Sequence, residues 1–511
     1  MTIHDSKASS RPNGVAEILL GHAVNHDEIS RRRVVLTCDS DAVTTQNGRW
    51  CFLDCLRLLP RLAANLTVVL PHALGSFEQE VLSVAKTVWR VGKLEVVRRE
   101  EDARLHDASA ILSIGFHSSP DLPWTTINSN GWVARVASSG NILAKDMEQA
   151  NPVGALMAAS LGVTETFKRV YGAPPEIVPT IRMVEFSLYD FTTSPSTVGP
   201  ELPSAITLPD TLLIGAGAIG NGVALLLSQL KLNGRLHVID KQAFGEENFG
   251  TCTLLDSVDW IDSSKAECIA SWLELQSDLH VSGEQKFVAT ARHGTTVKSM
   301  AVGLVLNGLD DVQARHDTQL LWPTTLVDGG INAIGAGVLT HRLDHPEGAC
   351  LRCTFSLPST DEKELQSRVT GLSRTSLMAD LGRPLTSTDV ERANEHKRPW
   401  LAAKLAEGKT ICATITEAQS ELQLGLEFEQ GFRPSAPFVA TASAALMVAE
   451  ALKALLYPEA EFNQSFQIAN LFLGPSSSIA SLRRASQSCS CVTEREIIGK
   501  LEAVRKKGHL H

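Results

Sequence analysis

The stretch TLLIGAGAIGNGVALLLSQLKLNGRLHVID, residues 211–240, decides the fold. An apolar strand runs into Gly215, Gly217 and Gly220, an apolar helix follows, and a second strand ends in Asp240. Glycines at this spacing form a tight turn and let a phosphate approach the N–H groups at the start of the helix, and an acidic residue after the second strand suits a ribose hydroxyl. The pattern predicts a doubly wound α/β domain that binds a nucleotide. By itself it does not distinguish ATP from NAD(P) or FAD.

The composition is that of an ordinary soluble protein. A chain of 511 residues is too long for one hydrophobic core, so we expect two or three domains. The net charge of −10 argues against a nucleic-acid-binding surface, and the polar N-terminus lacks the apolar region of a signal peptide. The most apolar segment, residues 440–456, carries Glu450 and Lys453, which favours a core helix over a membrane span. Ten cysteines without a signal peptide predict reduced thiols, metal ligands or a nucleophile in a cytoplasmic protein.

The chain contains an internal repeat. Residues 151–168 and 437–453 share one helical pattern, and residues 125–136 and 324–338 resemble each other upstream of it in the same order. When the two helices are aligned on their first proline, the same charged residues recur at identical offsets: Pro152, Glu165 and Lys168 against Pro437, Glu450 and Lys453. We therefore predict two copies of one α/β domain joined by a Ser/Thr/Pro-rich linker.

The two copies are predicted to differ in function. In the first copy, the strand that starts after Arg31 runs into Cys38-Asp39-Ser40-Asp41 instead of glycines. Carboxylates at this position would repel phosphates, so we expect no nucleotide there. In the second copy 113 residues separate Thr324 from Pro437, against 27 between Thr125 and Pro152, so this copy carries an insert of about 86 residues.

The segment DSSKAECIASWLELQ, residues 262–276, favours a triphosphate as the ligand. It opens a helix with the capping-box pattern Ser264-x-x-Glu267 and places Lys265 in the first turn. A lysine beside free helical N–H groups is well placed to hold phosphate, and a solvated surface lysine is the simpler alternative.

The segment VGLVLNGLDDVQARHD, residues 302–317, favours ATP over NAD. An apolar strand is followed by Asp310 and Asp311, and paired carboxylates at the C-terminal end of a strand suit Mg²⁺, which NAD does not need. A helix N-cap at either aspartate is the alternative explanation.

Taken together, these motifs resemble the adenylation domain of ubiquitin-activating enzymes and of their relatives, the sulfur-carrier adenylyltransferases of the ThiF and MoeB type. The resemblance covers nearly all of the second copy and rests on the following residues: Gly215, Gly217, Gly220, Asp240, Asn248, Lys265-Ala266, LDDVQAR (309–315) and DGG (328–330). The family continues Asn-Leu-x-Arg-Gln where this chain has ENFGTC, so Thr251 and Cys252 replace the arginine and the glutamine. An arginine from elsewhere, with the other half as one source, would have to hold the outer phosphates.

The resemblance implies a role for each matching residue. Asp240 would bind the ribose hydroxyls and Lys265 the α-phosphate, while Asp310 would hold Mg²⁺ with Asp311 beside it. Asn248 and the three glycines would complete the ATP site. The implied reaction is attack of a protein's C-terminal carboxylate on the α-phosphate, which gives an acyl adenylate and pyrophosphate.

Four cysteines have the spacing of a zinc site. Cys350 and Cys353 form a CxxC pair, and Cys489 and Cys491 form a CxC pair near the end of the second copy. Four thiolates make a closed structural site for Zn²⁺. The alternative is four unrelated buried thiols.

Cys412 is the predicted nucleophile. It follows a polar, charged, Gly-containing segment and lies in a Thr-rich stretch, which is typical of an exposed thiol. The segment also resembles the Cys-Thr-Ile segment that carries the thioester cysteine of ubiquitin-activating enzymes, with Ala413 inserted and the following proline missing. Cys252, beside the nucleotide loop, is the next candidate.

We therefore predict an α/β protein with two Rossmann-like ThiF-type adenylation domains in one chain, the N-terminal one inactive and the C-terminal one active, and a catalytic-cysteine insert. The predicted boundaries are 1–195 for the inactive domain, 205–345 for the ATP-binding domain, 346–433 for the insert with the zinc CxxC pair and Cys412, and 434–511 for the remainder with the C-terminal zinc ligands.

The predicted function is ATP-dependent activation of a ubiquitin-like protein, followed by thioester formation on Cys412 and transfer to a conjugating enzyme. The outline resembles most closely the activating enzymes of bacterial ubiquitin-like conjugation operons, which are linked to antiviral defence. A sulfur-carrier adenylyltransferase is the first alternative, and an NAD-binding oxidoreductase or a non-catalytic nucleotide sensor is the second. A nucleic acid or a membrane is not expected as a partner.

Overall fold

The computed structural model describes residues 13–17, 20, 24–62, 64–71, 74–98, 103–176, 178–331, 335–355, 362–378, 381–424, 435–458, 466–477 and 479–508. The chain forms two compact units, of which the main unit comprises Met1–Phe355 with Ser435–His511 and the insert unit comprises Ser356–Pro434.

The N-terminal half of the main unit is built on a seven-stranded sheet. Its strands are β1 (Arg33–Cys38), β2 (Asn65–Leu70), β3 (Leu94–Arg98), β4 (Ala110–Ile114), β5 (Trp124–Asn130), β6 (Val133–Ser138) and β7 (Met183–Ser187). The order is β3-β2-β1-β4-β5-β6-β7, with the first five strands parallel and the last two antiparallel to their neighbours. The described helices of this half are α1 (His26–Arg31), α2 (Gln46–Leu58), α3 (Ser76–Thr87), α4 (Ala103–His106) and α5 (Pro152–Tyr171).

The C-terminal half repeats this sheet with additions. Its strands are β8 (Ile206–Thr207), β9 (Thr211–Ile214), β10 (Leu232–Asp240), β11 (Asp278–Gln285), β12 (Leu304–Asn307), β13 (Thr325–Ile331), β14 (Gly335–Arg342), β15 (Phe466–Asn470) and β16 (Ile479–Ser481). The order is β11-β10-β9-β12-β13-β14-β15-β16, and β8 pairs with β10. The described helices outside the insert unit are α6 (Ala218–Gln229), α7 (Lys265–Gln276), α8 (Val288–Ala291), α9 (Thr295–Lys298), α10 (Val312–Gln319), α11 (Leu351–Thr354), α17 (Pro437–Leu456), α18 (Ser490–Thr493) and α19 (Arg495–Gly508).

The predicted repeat and fold class are confirmed. Both sheets have the same central parallel order, and both continue into an antiparallel hairpin, β5–β6 and β13–β14. Both hairpins precede a buried 20-residue helix that begins with proline, α5 and α17. The two helices pack on each other, with the Ser160 and Thr441 hydroxyls 2.9 Å apart.

The apolar helix α17 lies in the core, as its charges predicted. By length and composition it is the one described helix that could cross a membrane, but it is mostly buried inside the protein. Glu450 and Lys453 form a buried ion pair, as Glu165 and Lys168 do at the same offset in α5. The ammonium of Lys453 also donates to the carbonyl of Tyr189 at 3.0 Å, so the charges are matched by partners inside the protein.

The insert unit is a small helical body with its own apolar core. Its described helices are α12 (Glu362–Thr370), α13 (Arg374–Met378), α14 (Ser387–Glu391), α15 (Arg398–Ala406) and α16 (Ile411–Leu424). Leu372, Leu377, Leu385, Leu401 and Ile411 are buried together at its centre. Cys350 and Cys353, which sequence analysis assigned to the insert, belong to the main unit.

Candidate functional site

The three glycines form an open turn between β9 and α6. Gly215 has φ +91°, a conformation that favours glycine, and a Cβ on Gly220 would lie 2.0 Å from the Gly215 carbonyl oxygen. A Cβ on Gly217 would meet no atom of another described residue within 4 Å. Gly217 is also the N-cap of α6 and supplies no side chain to its first N–H groups. The turn therefore leaves space and backbone donors at a helix N-terminus, where an anion binds favourably.

Asp240 lies at the end of β10, directly beside this turn. Its carboxylate accepts the Ala216 N–H at 2.7 Å and the Gln242 N–H at 2.8 Å. Because β9 and β10 are parallel neighbours, with Ile214 opposite Ile239, both strands deliver these residues to the same edge of the sheet. The structure thus brings Asp240 and the glycine turn together.

Lys265 joins them from the first turn of α7. Its ammonium donates to the side-chain oxygen of Gln242 at 2.9 Å, and its backbone N–H donates to the Gln242 carbonyl at 3.0 Å. The predicted N-cap is present, since the Ser264 hydroxyl accepts the Glu267 N–H at 3.3 Å. Lys265 is buried, so the alternative of a solvated surface lysine is wrong.

Asp310 and Asp311 lie on the other side of the glycine turn. β12 pairs in parallel with β9, and a Cβ on Gly215 would lie 3.0 Å from the Leu309 side chain, one residue before Asp310. Both aspartates are exposed. Asp311 is the N-cap of α10 and accepts the Ala314 N–H at 2.7 Å, so for this residue the capping alternative applies.

A buried ion pair supports the strand ends behind these aspartates. The Arg315 guanidinium donates to both carboxylate oxygens of Asp328 at 3.1 Å and to the Asp310 carbonyl at 3.2 Å. Burial raises the pKa of Asp328 to about 6, although Arg315 and the Asn307 amide favour its charged form. Arg315 lies in the LDDVQAR motif and Asp328 in the DGG motif. In the structure this pair holds the backbone at Asp310.

Asn248 is a local cap in this structure. Its side-chain oxygen accepts the Gly245 N–H at 2.9 Å, and the residue is buried. It opens the segment 248–256, in which Thr251 and Cys252 stand where the family has arginine and glutamine. Cys252 is fully buried, which removes it as an exposed nucleophile.

One arginine of the N-terminal half, Arg61, reaches this segment, but it binds protein groups there. Arg61 donates to the carbonyls of Phe249 and Thr253, the latter at 3.0 Å, and its guanidinium is fully buried. It also donates to the carboxylate of Asp256 at 3.0 Å. With these partners Arg61 is not available to a phosphate. The contacts of Arg61 were not predictable from sequence, because no local pattern marks a contact across nearly 200 residues.

Asn221, one residue after the glycine motif, is a further site residue that was not predicted from sequence. Its amide nitrogen donates to the carbonyls of Ala216 and Gly217, both at 2.9 Å, and its oxygen accepts the Leu254 N–H at 3.2 Å. The available signal was a polar residue on an otherwise apolar helix face.

The described part of the N-terminal half has a filled gap, not an open turn, at the end of its first strand. Asp39 follows β1 and accepts the Phe116 N–H at 3.0 Å. A Cβ on Gly115 would lie 2.1 Å from the Asp39 carboxylate, so the side chain fills the gap between the ends of β1 and β4. A carboxylate therefore occupies the place that the glycine turn takes in the second sheet.

The four predicted zinc ligands converge. Their sulfur atoms lie within 4.8 Å of one another, with Cys350 3.6 Å from Cys489 and Cys353 3.5 Å from Cys491. Ligands at about 2.3 Å from a tetrahedral zinc ion are about 3.8 Å apart, so the cluster could hold this metal. The Ser486 N–H points to the Cys353 sulfur at 3.3 Å, a typical outer contact of a metal thiolate.

Cys412 is the second residue of α16. All ten cysteines lie in the described part of the chain, and Cys412 alone is exposed. Its backbone N–H donates to the Leu381 carbonyl at 2.8 Å, and Thr410 caps the helix by accepting the Ala413 N–H at 3.2 Å. The Thr-rich stretch around Cys412 is thus a capped helix start.

A cavity of about 380 Å³ lies elsewhere in the main unit. Its lining includes Phe186, Thr193, Leu446 and Gln467. None of the predicted site residues lines it.

Two family models match adjacent parts of the chain. The ThiF family matches residues 189–491, and the BilD N-terminal domain matches residues 33–188. The boundary between them coincides with the junction of the two sheets. These matches confirm the resemblance to ThiF-type proteins that the glycine, Asp240 and Lys265 motifs indicated.

One curated relative, the uncharacterized protein y4jF of Sinorhizobium fredii (strain NBRC 101917 / NGR234), is 26% identical over 365 residues. The match covers 68% of this chain and 65% of that protein, so the chain spans just under two thirds of the relative's length.

Solved structures with some likeness include E. coli MccB with ATP and MccB, a microcin C7 biosynthetic enzyme, with N-formylated MccA. The first is 15% identical, with 56% of this chain and 66% of that chain covered and a TM-score of 0.35. The second is 12% identical, with 72% and 97% covered and a TM-score of 0.34. Scores this low support no conclusion about the activity of this chain.

Proposed function

The chain belongs to the ThiF family, and from this premise we propose that it uses ATP to adenylate the C-terminal carboxylate of a ubiquitin-like protein. The observation that carries the proposal is the convergence of the open glycine turn, Asp240 and Lys265 at one edge of the second sheet. This edge combines backbone donors, a carboxylate and a buried ammonium, which match the phosphates and ribose of a nucleotide.

In the proposed first step, a carboxylate oxygen of the partner protein attacks the α-phosphorus of ATP. A bond forms between that oxygen and phosphorus, the bond from the α-phosphorus to the bridging oxygen breaks, and pyrophosphate leaves. The N–H groups of the glycine turn and the ammonium of Lys265 stabilise the negative charge around phosphorus. Asp240 holds the turn and the ribose.

Asp310 and Asp311 are the residues that would hold Mg²⁺. Both are exposed carboxylates at the end of β12 beside the glycine turn, which is the donor chemistry that this ion prefers. The ion would supply further charge neutralisation at the phosphates. Asp310 is the principal ligand in this proposal, with Asp311, which also caps α10, beside it.

In the proposed second step, the Cys412 thiolate attacks the acyl carbon of the adenylate. A thioester forms, the acyl–phosphate bond breaks and AMP leaves, while the thiol proton passes to solvent. Exposure of Cys412 at a helix start supports this role. The thioester would then pass to the cysteine of a conjugating-type enzyme.

We also propose that the four-cysteine cluster binds Zn²⁺ and has a structural role. Cys350 and Cys353 belong to the segment after β14, and Cys489 and Cys491 belong to the start of α18, so the metal would fasten the end of the chain to the sheet. A bacterial ubiquitin-like conjugation pathway linked to antiviral defence, in the cytoplasm, is the setting that we propose.

Exchange of radiolabelled pyrophosphate into ATP tests the first step. We expect exchange only when a ubiquitin-like protein with a free C-terminus is present, because the reverse reaction requires the acyl adenylate. A reductant-sensitive adduct with the partner supports the thioester, whereas exchange without any adduct favours the sulfur-carrier alternative. Absence of exchange with every candidate partner would overturn the proposal.

A further inference from the structure

We infer that Asn221 is a positioning residue for the phosphate-binding turn. In this inference Arg61 of the N-terminal half binds the segment 253–255, this segment orients Asn221, and Asn221 orients the turn. This inference rests on the proposed function, because it concerns the same nucleotide site. Asn221 is fully buried, and each polar atom of its side chain has a partner: two carbonyls for the amide nitrogen and the Leu254 N–H for the oxygen.

Asn221 fixes the direction of two backbone N–H groups. In a trans peptide unit the C=O and the following N–H point in opposite directions. Because the carbonyls of Ala216 and Gly217 point at Asn221, the N–H groups of Gly217 and Ala218 point away from it. These N–H groups belong to the start of α6, at the residue where an added Cβ would meet no atom within 4 Å. They are the donors that the turn offers to a phosphate.

The orientation of the Asn221 amide depends on the segment 248–256. A flipped amide would aim its oxygen at two carbonyls and its nitrogen at the Leu254 N–H, which would break all three hydrogen bonds. The Leu254 N–H therefore selects the orientation in which the amide nitrogen donates to the glycine turn.

The N-terminal half holds this segment on both sides of Leu254. Arg61 donates to the Thr253 carbonyl at 3.0 Å and to the Leu255 carbonyl at 3.4 Å, so the two residues that flank Leu254 are bound by one guanidinium. The Trp89 ring stacks on Phe249 with the ring centres 3.8 Å apart. The contacts form a continuous chain from Arg61 through residues 253–255 and Asn221 to the carbonyls of Ala216 and Gly217.

Binding of MgATP to the purified full-length chain tests the inference. We expect Asn221→Leu, which keeps the side-chain volume and removes the amide, to raise the Kd for MgATP about tenfold, equivalent to one or two net hydrogen bonds. Gln229→Leu is the matched control. This substitution also removes a side-chain amide from α6, at the boundary between the halves, where Gln229 donates to Asp54. It should leave the Kd for MgATP within twofold of wild type. Should Asn221→Leu fail to fold, Asn221→Ser takes its place.

A double-mutant cycle tests the part played by Arg61. Arg61→Lys keeps the charge but cannot bind both flanking carbonyls, and we expect a several-fold rise in Kd. Because both residues act through residues 253–255, the double variant should lose less affinity than the product of the single effects. Multiplicative effects would overturn the link to Arg61, and an Asn221→Leu variant that binds MgATP within twofold of wild type would overturn the role of Asn221.

Hydrogen exchange in the free protein separates this inference from the proposed function. Asn221→Leu should speed amide exchange in residues 215–221, and Gln229→Leu should not. If wild-type protein binds no MgATP, the proposed function fails, and unchanged exchange in residues 215–221 is then the result that overturns the role of Asn221.

Discussion

The two α/β halves share a strand order and a long buried helix, but among the described residues only the C-terminal half has an open turn at the glycine-motif position. In the C-terminal half, Gly215 adopts φ +91° and the space above Gly217 is empty of protein atoms within 4 Å. In the N-terminal half, Asp39 occupies the corresponding gap and accepts a hydrogen bond from the Phe116 N–H. Many apolar residues specify the shared fold, whereas a few residues at the strand ends specify the site. The site can therefore be lost while the fold remains.

The N-terminal half has a structural role in contacts with the C-terminal half. Arg61 and Trp89 hold the segment that carries Thr251 and Cys252 in place of the family's arginine and glutamine. The half without an open turn thus supports the turn of the other half.

The largest expected effect separates the nucleotide site from the insert unit. Cys412→Ala should abolish the covalent adduct with the ubiquitin-like partner and leave ATP–pyrophosphate exchange unchanged, because adenylation uses no thiol. The wild-type adduct should appear on a non-reducing gel and disappear with added thiol, since a thioester exchanges with thiols.

Cys268→Ala serves as the control for the loss of a thiol, because Cys268 lies on α7 and is only partly exposed. A reductant-sensitive adduct that persists in Cys412→Ala would place the nucleophile at another cysteine.

Removal of one carboxylate from each half tests the comparison directly. Asp310→Ala should reduce pyrophosphate exchange by roughly a hundredfold or more, because the magnesium ion loses a strand-end ligand. Asp39→Asn keeps an acceptor for the Phe116 N–H and should leave exchange within twofold of wild type. Near-normal exchange in Asp310→Ala would rule out the magnesium assignment, and a large loss in Asp39→Asn would show that the N-terminal half is not inactive.

The thiols give a further contrast between the halves. Cys51 and Cys55 are buried in the core on α2, whereas four thiols of the C-terminal half converge. Purified protein should contain about one zinc ion per chain, and a Cys489→Ser, Cys491→Ser double variant should lose it and unfold at a lower temperature. Elemental analysis of both proteins measures this, with Cys51→Ser as the control. Zinc retained in the double variant would mean that other ligands bind it.

The parts of this molecule that follow from sequence are those encoded locally. The spacing of Gly215, Gly217 and Gly220 predicted the turn because two of its needs are local: Gly215 adopts φ +91°, and Gly220 packs against the Gly215 carbonyl. Glu450 and Lys453 lie at the same distances from Pro437 as Glu165 and Lys168 do from Pro152. This match predicted the repeat because the three residues of each copy lie on one helix. The helix start at Cys412 was not predicted, although its cap, Thr410, lies only two residues before it.

Arg61 could not be predicted because its partners lie nearly 200 residues away in the chain. The two pairs of predicted zinc ligands are also far apart in the chain. Their contact was predictable because the short spacing within each pair is typical of a zinc site. A long-range hydrogen bond from one arginine to backbone carbonyls leaves no such mark, since every residue offers a carbonyl.

The smallest expected effect on nucleotide chemistry concerns a carboxyl group where the halves meet. Asp54 on α2 accepts a hydrogen bond from the Gln229 amide on α6 at 3.0 Å, and it is buried. Its second oxygen and the Gln229 oxygen have no hydrogen-bond partner among the described residues. A protonated Asp54 could donate to that Gln229 oxygen and satisfy both atoms.

The pH dependence of stability follows from the sign of the Asp54 shift. Burial raises the pKa of Asp54 to about 7, outweighing the hydrogen bond from Gln229 and the attraction of Arg57. The contribution of the neutral carboxyl is fully present below the unfolded pKa, about 4, and is lost as the pH rises through 7. Asp54→Asn stays neutral at every pH and should be more stable than wild type at pH 8, by up to about 4 kcal/mol. The difference in thermal midpoint should shrink as the pH falls from 8 to 5, and pyrophosphate exchange should be unchanged. A difference that stays constant with pH would show that Asp54 is already ionised in the folded protein, and that the two halves meet across a charged boundary.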